Sequence, residues 1–136
     1  MKTNNLTVTK ADLERLQKFF YSHNDFEVKP NIKLVEEKIN AANKVDSKSV
    51  APNVVTMNSK VKVKNKALGK SFSLELVYPD AVDTTQFKIS IFSPIGASMY
   101  GYAQGDEFVW YGGNGKNSFV IEEVTYQPES AGHYDL

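Results

Sequence analysis

The spacing of the apolar residues changes along this chain from a helical repeat to a two-residue repeat. In the first third, Leu13, Leu16 and Phe20 recur at helical spacing. Beyond about residue 50, Val61 and Val63 alternate with lysines, as in a strand with one buried face. Because the two repeats cannot be satisfied by one kind of element, the sequence predicts an α+β protein whose helices precede its sheet.

Two amphipathic helices are predicted before residue 48. The first covers about residues 9–24, with Thr9 as its N-cap, and turn-forming residues that include Pro30 precede the second, which runs from Ile32 to about Val45. A short connection favours an antiparallel hairpin. The residues expected to seal it are Leu16, Phe19, Phe20, Val35 and Ile39. Those expected on the solvent side of the second helix are Glu36, Glu37, Lys38 and Lys44.

A polar stretch around residues 43–52 separates the helices from the strand-like segments. We therefore predict a helical unit at 1–48 and a second unit at 49–136. The second unit is predicted to be an antiparallel sheet packed on one short helix, which begins at Pro94 after the N-cap Ser93 and stops at Gly101. The predicted strands cover residues 60–64, 72–76, 88–92, 108–111 and 118–126.

Composition argues against several classes of chemistry. The chain has no cysteine, which excludes disulfides and thiolate sites, and its 16 basic residues balance 16 acidic ones. His23 and His133 are isolated from any spaced set of ligands, so neither a metal nor another cofactor is expected. No apolar run is long enough for a membrane span, and we expect a cytoplasmic protein with no membrane partner. The row Lys60, Lys62, Lys64 is interpreted as the solvated face of the sheet.

Three separated motifs make the second unit resemble a known family. Ser93-Pro94-Ile95-Gly96, then Gly101, then Gly105-Asp106-Glu107 resembles the signature of the C-terminal domain of GreA/GreB transcription factors. Residues 54–59 (VVTMNS) and 126–132 (YQPESAG) are similar to the branch of that family formed by Rnk, the regulator of nucleoside diphosphate kinase. Departures from the family pattern occur at Tyr102, Ala103 and Gln104. The resemblance implies an FKBP-like fold for this unit.

The resemblance also implies a function. GreA/GreB factors bind RNA polymerase and insert a long coiled coil into its secondary channel, so the expected partner is the polymerase, without sequence-specific binding to nucleic acid. The residues expected to contact it are Ser93, Pro94, Ile95, Gly96 and Asp106. The predicted helices of about 14 residues would extend only roughly 21 Å. The tip acids Asp25 and Glu27 do not reproduce the acidic motif of the cleavage factors, and we therefore expect a monomeric regulator that is not an enzyme.

Two other functions stay open at this stage. The sheet-and-helix architecture is shared with prolyl isomerases, although a fold does not confer an activity. Such an enzyme would need an aromatic-lined pocket, for which the candidates are Tyr100, Tyr102, Trp110 and Tyr111. The same domain could also be a binding module for a different protein.

Overall fold

The computed structural model describes residues 6–20, 29–112 and 115–133, with the side chains of 111 and 112 outside the described part. The first segment of the chain contains β1 (Thr7–Thr9), α1 (Lys10–Phe20), α2 (Lys29–Ala41) and β2 (Asn43–Val45). The remainder contains β3 (Lys60–Asn65), β4 (Lys70–Val77), β5 (Lys88–Ser90), α3 (Pro94–Met99), β6 (Glu107–Gly112) and β7 (Gly115–Tyr126). The predicted mixture of helices and sheet is confirmed.

The first helix begins where the sequence indicates. The Thr9 hydroxyl oxygen accepts a hydrogen bond from the Asp12 N–H at 3.1 Å, which satisfies one of the free donors of the first turn. The prediction of Thr9 as the N-cap is therefore confirmed. The connection between α1 and α2 lies outside the described residues, so the antiparallel hairpin stays a prediction.

The second helix differs from its prediction at both ends. It begins at Lys29 and includes Pro30 in its first turn, where a missing N–H costs nothing because that donor would have no helical partner. It ends at Ala41, whereas we predicted helix to about Val45. Residues Asn43–Val45 instead form β2, which pairs in parallel with β1. Tertiary pairing with a distant strand is not visible in the local pattern.

Five strands form one mixed sheet in the order β5-β4-β3-β7-β6. The prediction of a wholly antiparallel sheet is wrong at one edge, because β5 pairs with β4 in parallel. Between these strands the chain passes through two 3₁₀ turns, Pro79–Ala81 and Thr84–Gln86, which carry it back so that it re-enters in the same direction. The other three pairings are antiparallel, as expected.

One core joins the helices to the sheet. Leu16 and Val35, which we assigned to a hairpin seam, are fully buried in the same cluster as Ile91 and Ile121 of the later part of the chain. The two aromatic residues of the predicted seam likewise contact the later part. The ring centroid of Phe19 lies 5.6 Å from that of Tyr78, and the centroid of Phe20 lies 6.1 Å from that of Phe92. The helices therefore pack on the body of the sheet.

The placement of Lys38 on the solvent side of the second helix is wrong. Lys38 is only 6% exposed, because its side chain passes under the end of α3. The boundary between units 1–48 and 49–136 stays a proposal, made on the change of sequence pattern rather than on a gap in the packing.

Candidate interaction surface around the short helix

The short helix α3 is fixed at its first residue by a local hydrogen-bond network. The Ser93 hydroxyl oxygen accepts from the Gly96 N–H at 3.1 Å, and the same hydroxyl donates to the Ser90 carbonyl at 2.6 Å. Pro94 occupies the first helical position, where its fixed φ favours the helix. The predicted N-cap is confirmed, and its hydrogen bonds attach the N-terminal end of the short helix to the Ser90 carbonyl.

The two apolar residues at this end have different environments. Pro94 is exposed, whereas Ile95 is partly buried and packs against the core. Gly96 is buried, and a Cβ atom built there would lie 2.3 Å from the Ser90 carbonyl oxygen. Gly96 is therefore required by close packing of the backbone, and Pro94 with the outer part of Ile95 forms the accessible surface. That these residues contact a partner stays a prediction.

Asp106 closes a turn that follows the short helix. One carboxylate oxygen accepts from the Ala103 N–H at 2.9 Å, while the Asp106 N–H donates to the Ala103 carbonyl at the same distance. The turn is also bonded to β7, because the Ile121 N–H donates to the Asp106 carbonyl at 2.9 Å. Asp106 is half-buried and holds the turn. Its predicted contact with a partner is not tested by this geometry.

The tip residues Asp25 and Glu27 lie outside the described residues. Within the described ranges, no group of three or more His, Asp or Glu side chains converges as a metal site would require. His133 instead forms a hydrogen bond through Nδ1 with the Tyr126 hydroxyl, at 2.6 Å. In the same described part, no helix is long and apolar enough to cross a membrane.

A buried carboxylate that the sequence analysis did not single out lies behind α3. Asp12 is 1% exposed. One of its oxygens accepts from the Met57 N–H at 3.0 Å and from the Tyr100 hydroxyl at 3.2 Å, and the other accepts from the Tyr78 hydroxyl at 3.5 Å. Burial raises the pKa of Asp12 to about 7, although the donors from Met57 and Tyr100 favour the ionised form. Asp12 thus ties α1 to the chain around the short helix.

Lys38 provides a second buried tie to the short helix. Its ammonium donates to the Ser98 carbonyl at 2.5 Å and to the Tyr100 carbonyl at 3.0 Å, and it lies 4.7 Å from the ring centroid of Tyr102. A cation near the carbonyl end of a helix is favourable. Desolvation by burial lowers the pKa of Lys38 to about 7.

The family model for the C-terminal domain of the transcription elongation factors GreA/GreB matches residues 50–126. This match covers more than half of the chain. The chain belongs to the GreA/GreB family. A 62-residue stretch is 36% identical to the regulator of nucleoside diphosphate kinase of Escherichia coli K12, so this part of the chain is similar to the Rnk branch of the family. That alignment covers 45% of this chain and 46% of the relative. The same identity and coverage hold for the Shigella flexneri protein.

Solved structures extend the likeness beyond the matched domain. A GreA/GreB elongation factor from Nitrosomonas europaea has a TM-score of 0.74 and 36% sequence identity, and the alignment covers 90% of this chain and 98% of that one. The transcription factor Gfh1 has a TM-score of 0.51 at 19% identity, over 90% of this chain and 98% of that one, which supports the fold alone. The expected membership of the GreA/GreB family is thus confirmed.

The two segments that resemble the Rnk branch lie against each other in the structure. The Gln127 side-chain amide donates to the Ala51 and Val54 carbonyls at 2.7 and 2.8 Å. The Thr56 hydroxyl donates to a carboxylate oxygen of Glu129 at 2.7 Å. These buried polar contacts join the beginning of the matched GreA/GreB domain to the residues that directly follow it, and so they give both segments a structural role.

The positions that depart from the GreA/GreB pattern also have local roles. Tyr102 is 9% exposed and lies beneath the Lys38 ammonium. The Gln104 side-chain oxygen accepts from the Val124 N–H at 3.1 Å, and Ala103 forms an isolated bridge with Val54. These three residues therefore stabilise the loop after α3 by contacts to α2, to Val54 and to β7.

Among the aromatic residues considered for a prolyl isomerase, the three whose side chains are described do not form a common pocket. Tyr100 is fully buried, with its hydroxyl bound to Asp12, and Trp110 stacks on Phe119 with a centroid distance of 6.1 Å. The side chain of Tyr111 lies outside the described part. The structure therefore does not favour the isomerase alternative for this member of the GreA/GreB family.

Simple helical geometry contains a signal for both buried charges. At 100° per residue, Asp12 projects into the arc occupied by Leu13, Leu16 and Phe19, and Lys38 lies about 40° from Ala42, at the edge of the apolar stripe. A charged residue within an apolar stripe indicates a buried partner. The sequence pattern does not identify that partner, because the carbonyls that bind Lys38 lie 60 and 62 residues away.

Proposed function

We propose that this protein is an RNA-polymerase-binding transcription regulator that docks near the secondary channel and modulates or competes with Gre-type factors without cleaving transcripts. The observation that carries the proposal is family membership over residues 50–126 together with the exposed apolar end of α3. The expected site of action is the cytoplasm, and the expected form is a monomer. Both follow from the proposed partner, which acts there as a large assembly with one secondary channel.

The proposed contact segment is residues 93–96. Pro94 offers an exposed rigid ring, and Ile95 adds a partly exposed aliphatic chain whose base is anchored in the core. An apolar anchor that is already ordered loses little conformational entropy on binding. The Ser93 cap, with distances of 3.1 and 2.6 Å, supplies that order.

The absence of cleavage is proposed from the placement of the helices. Phe20, at the end of α1, contacts Phe92, and the Asn31 side chain at the start of α2 donates to the Phe92 carbonyl at 2.8 Å. Both helices thus meet the body at the ends from which a projecting arm would have to start. Helices that are held to the body at these ends are not free to extend away from it as a long arm.

The helices expected from the sequence would extend only roughly 21 Å, and the tip acids Asp25 and Glu27 do not reproduce the acidic motif of the cleavage factors. We therefore do not expect this protein to bring carboxylates to the catalytic metal of the polymerase. Occupation of the docking site without delivery of carboxylates gives a competitor of long-armed Gre factors.

The experiment is a titration of this protein into backtracked polymerase complexes, with and without a long-armed Gre factor. We expect no stimulation of RNA cleavage by the protein alone. Cleavage by the Gre factor should decrease as the protein is added and recover with excess Gre factor, because the two ligands compete for one site. Cleavage by the protein alone would overturn the short-reach argument.

A variant pair identifies the surface in the same assay. Pro94→Asn with Ile95→Ser should weaken competition by tenfold or more, since loss of interface anchors typically costs about 1 to 4 kcal/mol. The matched control is Leu68→Ser, which removes an apolar side chain that is 68% exposed in the turn between β3 and β4. Undiminished competition by a folded double variant would exclude this surface.

A further inference from the structure

Hydrogen bonds from α2 hold the chain at both ends of α3. On one side, the Asn31 amide donates to the carbonyl of Phe92, two residues before Pro94, at 2.8 Å. On the other, the Lys38 ammonium donates to the carbonyls of Ser98 and Tyr100. The proposed contact segment thus lies between two attachments that originate in the N-terminal part of the chain.

The spacing of these attachments matches the length of the short helix. Asn31 and Lys38 are seven residues apart, which places them on one face of α2 with a separation of about 10.5 Å along its axis. The six residues of α3 extend about 9 Å. The two helices pack against each other. The helix α2 therefore spans the length of α3 and bonds to the backbone just before its first residue and in its last turn.

Burial of the Lys38 ammonium requires polar partners that compensate for its lost hydration. A lysine that is 6% exposed has lost most of its hydration, and burial of a charge is tolerated only where polar partners replace water. Two backbone carbonyls and the Tyr102 ring provide that replacement. An apolar side chain could fill the space at this position, but it has no donor that would hold the Ser98 and Tyr100 carbonyls in place.

We propose that Lys38 and Asn31 are positioning residues for polymerase binding, which fix the orientation of α3 so that Pro94 and Ile95 are presented to the partner. Neither residue needs to touch the polymerase. This inference rests on the proposed function, and it assigns to α2 a role in shaping the docking surface around α3.

The test uses the full chain with Lys38→Met, which keeps most of the length of the side chain but removes the donor, and Asn31→Ala as a milder change. Affinity for core RNA polymerase should fall roughly tenfold for Lys38→Met and by a smaller factor for Asn31→Ala. The amides of Ala97 and Tyr100, which bond to the Ser93 and Gly96 carbonyls, should exchange hydrogen faster in both variants.

Two control variants on the same helix separate positioning from general stability. Lys33→Met removes an exposed lysine and should change neither affinity nor exchange. Val35→Ala removes part of a fully buried side chain and should lower the melting temperature without the loss of affinity. Wild-type affinity in the folded Lys38→Met and Asn31→Ala variants would overturn the inference. An equal loss in Val35→Ala would do the same.

Failure of the proposed function gives a different result. If the wild-type chain does not bind polymerase, the proposed partner is wrong, and the exchange measurement still decides whether α2 fixes α3. Unchanged exchange of the Ala97 and Tyr100 amides in both variants would then overturn the positioning role as well.

Discussion

Replacement of Asp12 by asparagine should change the dependence of stability on pH. The carboxyl group has a pKa of 3.8 when it is unperturbed and about 7 in the folded protein, chiefly because it is buried. Nearby Glu129 raises the pKa further, while Arg15 and the donors at Met57 and Tyr100 lower it. Asparagine has a similar shape and retains an oxygen that can accept a hydrogen bond, but it does not titrate.

The sign of the effect follows from proton binding. Between about pH 4 and about pH 7 the unfolded chain has lost the Asp12 proton while the folded chain retains it, so rising pH favours the unfolded chain. The wild-type protein should therefore lose stability relative to Asp12→Asn across this window and reach a constant difference above it. A pKa change from 3.8 to about 7 corresponds to roughly 4 kcal/mol at about 1.4 kcal/mol per pH unit.

Urea unfolding at a series of pH values, followed by the fluorescence of the single tryptophan, Trp110, measures this difference. Subtraction of the two stability curves removes the contribution of Lys38, which is common to both proteins. Asp46→Asn is the matched control, because Asp46 is an exposed carboxylate 3.5 Å from the Lys10 ammonium, and it should retain the wild-type slope. Parallel curves for wild type and Asp12→Asn would refute the buried-carboxylate argument.

Two further predictions concern packing. Gly96→Ala should lower the free energy of unfolding by about 2 to 4 kcal/mol, because the new Cβ would lie 2.3 Å from a backbone oxygen and the strand or helix would have to move. Thermal unfolding measures this loss. The comparison is Gly105→Ala, where no atom lies within 4 Å of a Cβ but φ is +93°. A fragment covering residues 50–136 should form its sheet but melt at a much lower temperature than the whole chain, because Leu16 and Val35 leave its core; circular dichroism is the measurement, and an unchanged melting temperature would contradict the shared core.

The sequence was sufficient where local geometry determines the structure. Caps at Thr9 and Ser93 were predictable because a side-chain oxygen bonds to an N–H two or three residues away. The strand pattern from β3 to β7 was predictable because alternation places one face in the core. The family motifs around Ser93–Gly96 indicated the candidate surface, and the structure shows the cap at Ser93 and the close packing at Gly96, while the contact with a partner stays a prediction.

Interactions between distant segments were not predictable in the same way. The strand β2 forms because β1 lies beside it, although residues 43–45 continue a helical pattern locally. The parallel position of β5 depends on two intervening 3₁₀ turns. Lys38 was assigned to solvent because charged residues usually are, and its actual partners are carbonyls on an element some 60 residues away.

The size of α3 explains why the helices belong to the body of the molecule. A five-stranded sheet is about 19 Å wide at roughly 4.8 Å between strands, whereas a helix of six residues is about 9 Å long, so α3 alone cannot cover one face. Leu16 of α1 and Val35 of α2 supply further apolar surface to the same core. In this chain the N-terminal helices therefore complete the fold of the GreA/GreB domain. This packing limits how far the helices can extend from the body, since helices that contact Tyr78 and Phe92 are not available as a long projecting arm. These contacts support the proposal of a factor that occupies a docking site and does not deliver carboxylates to a distant metal.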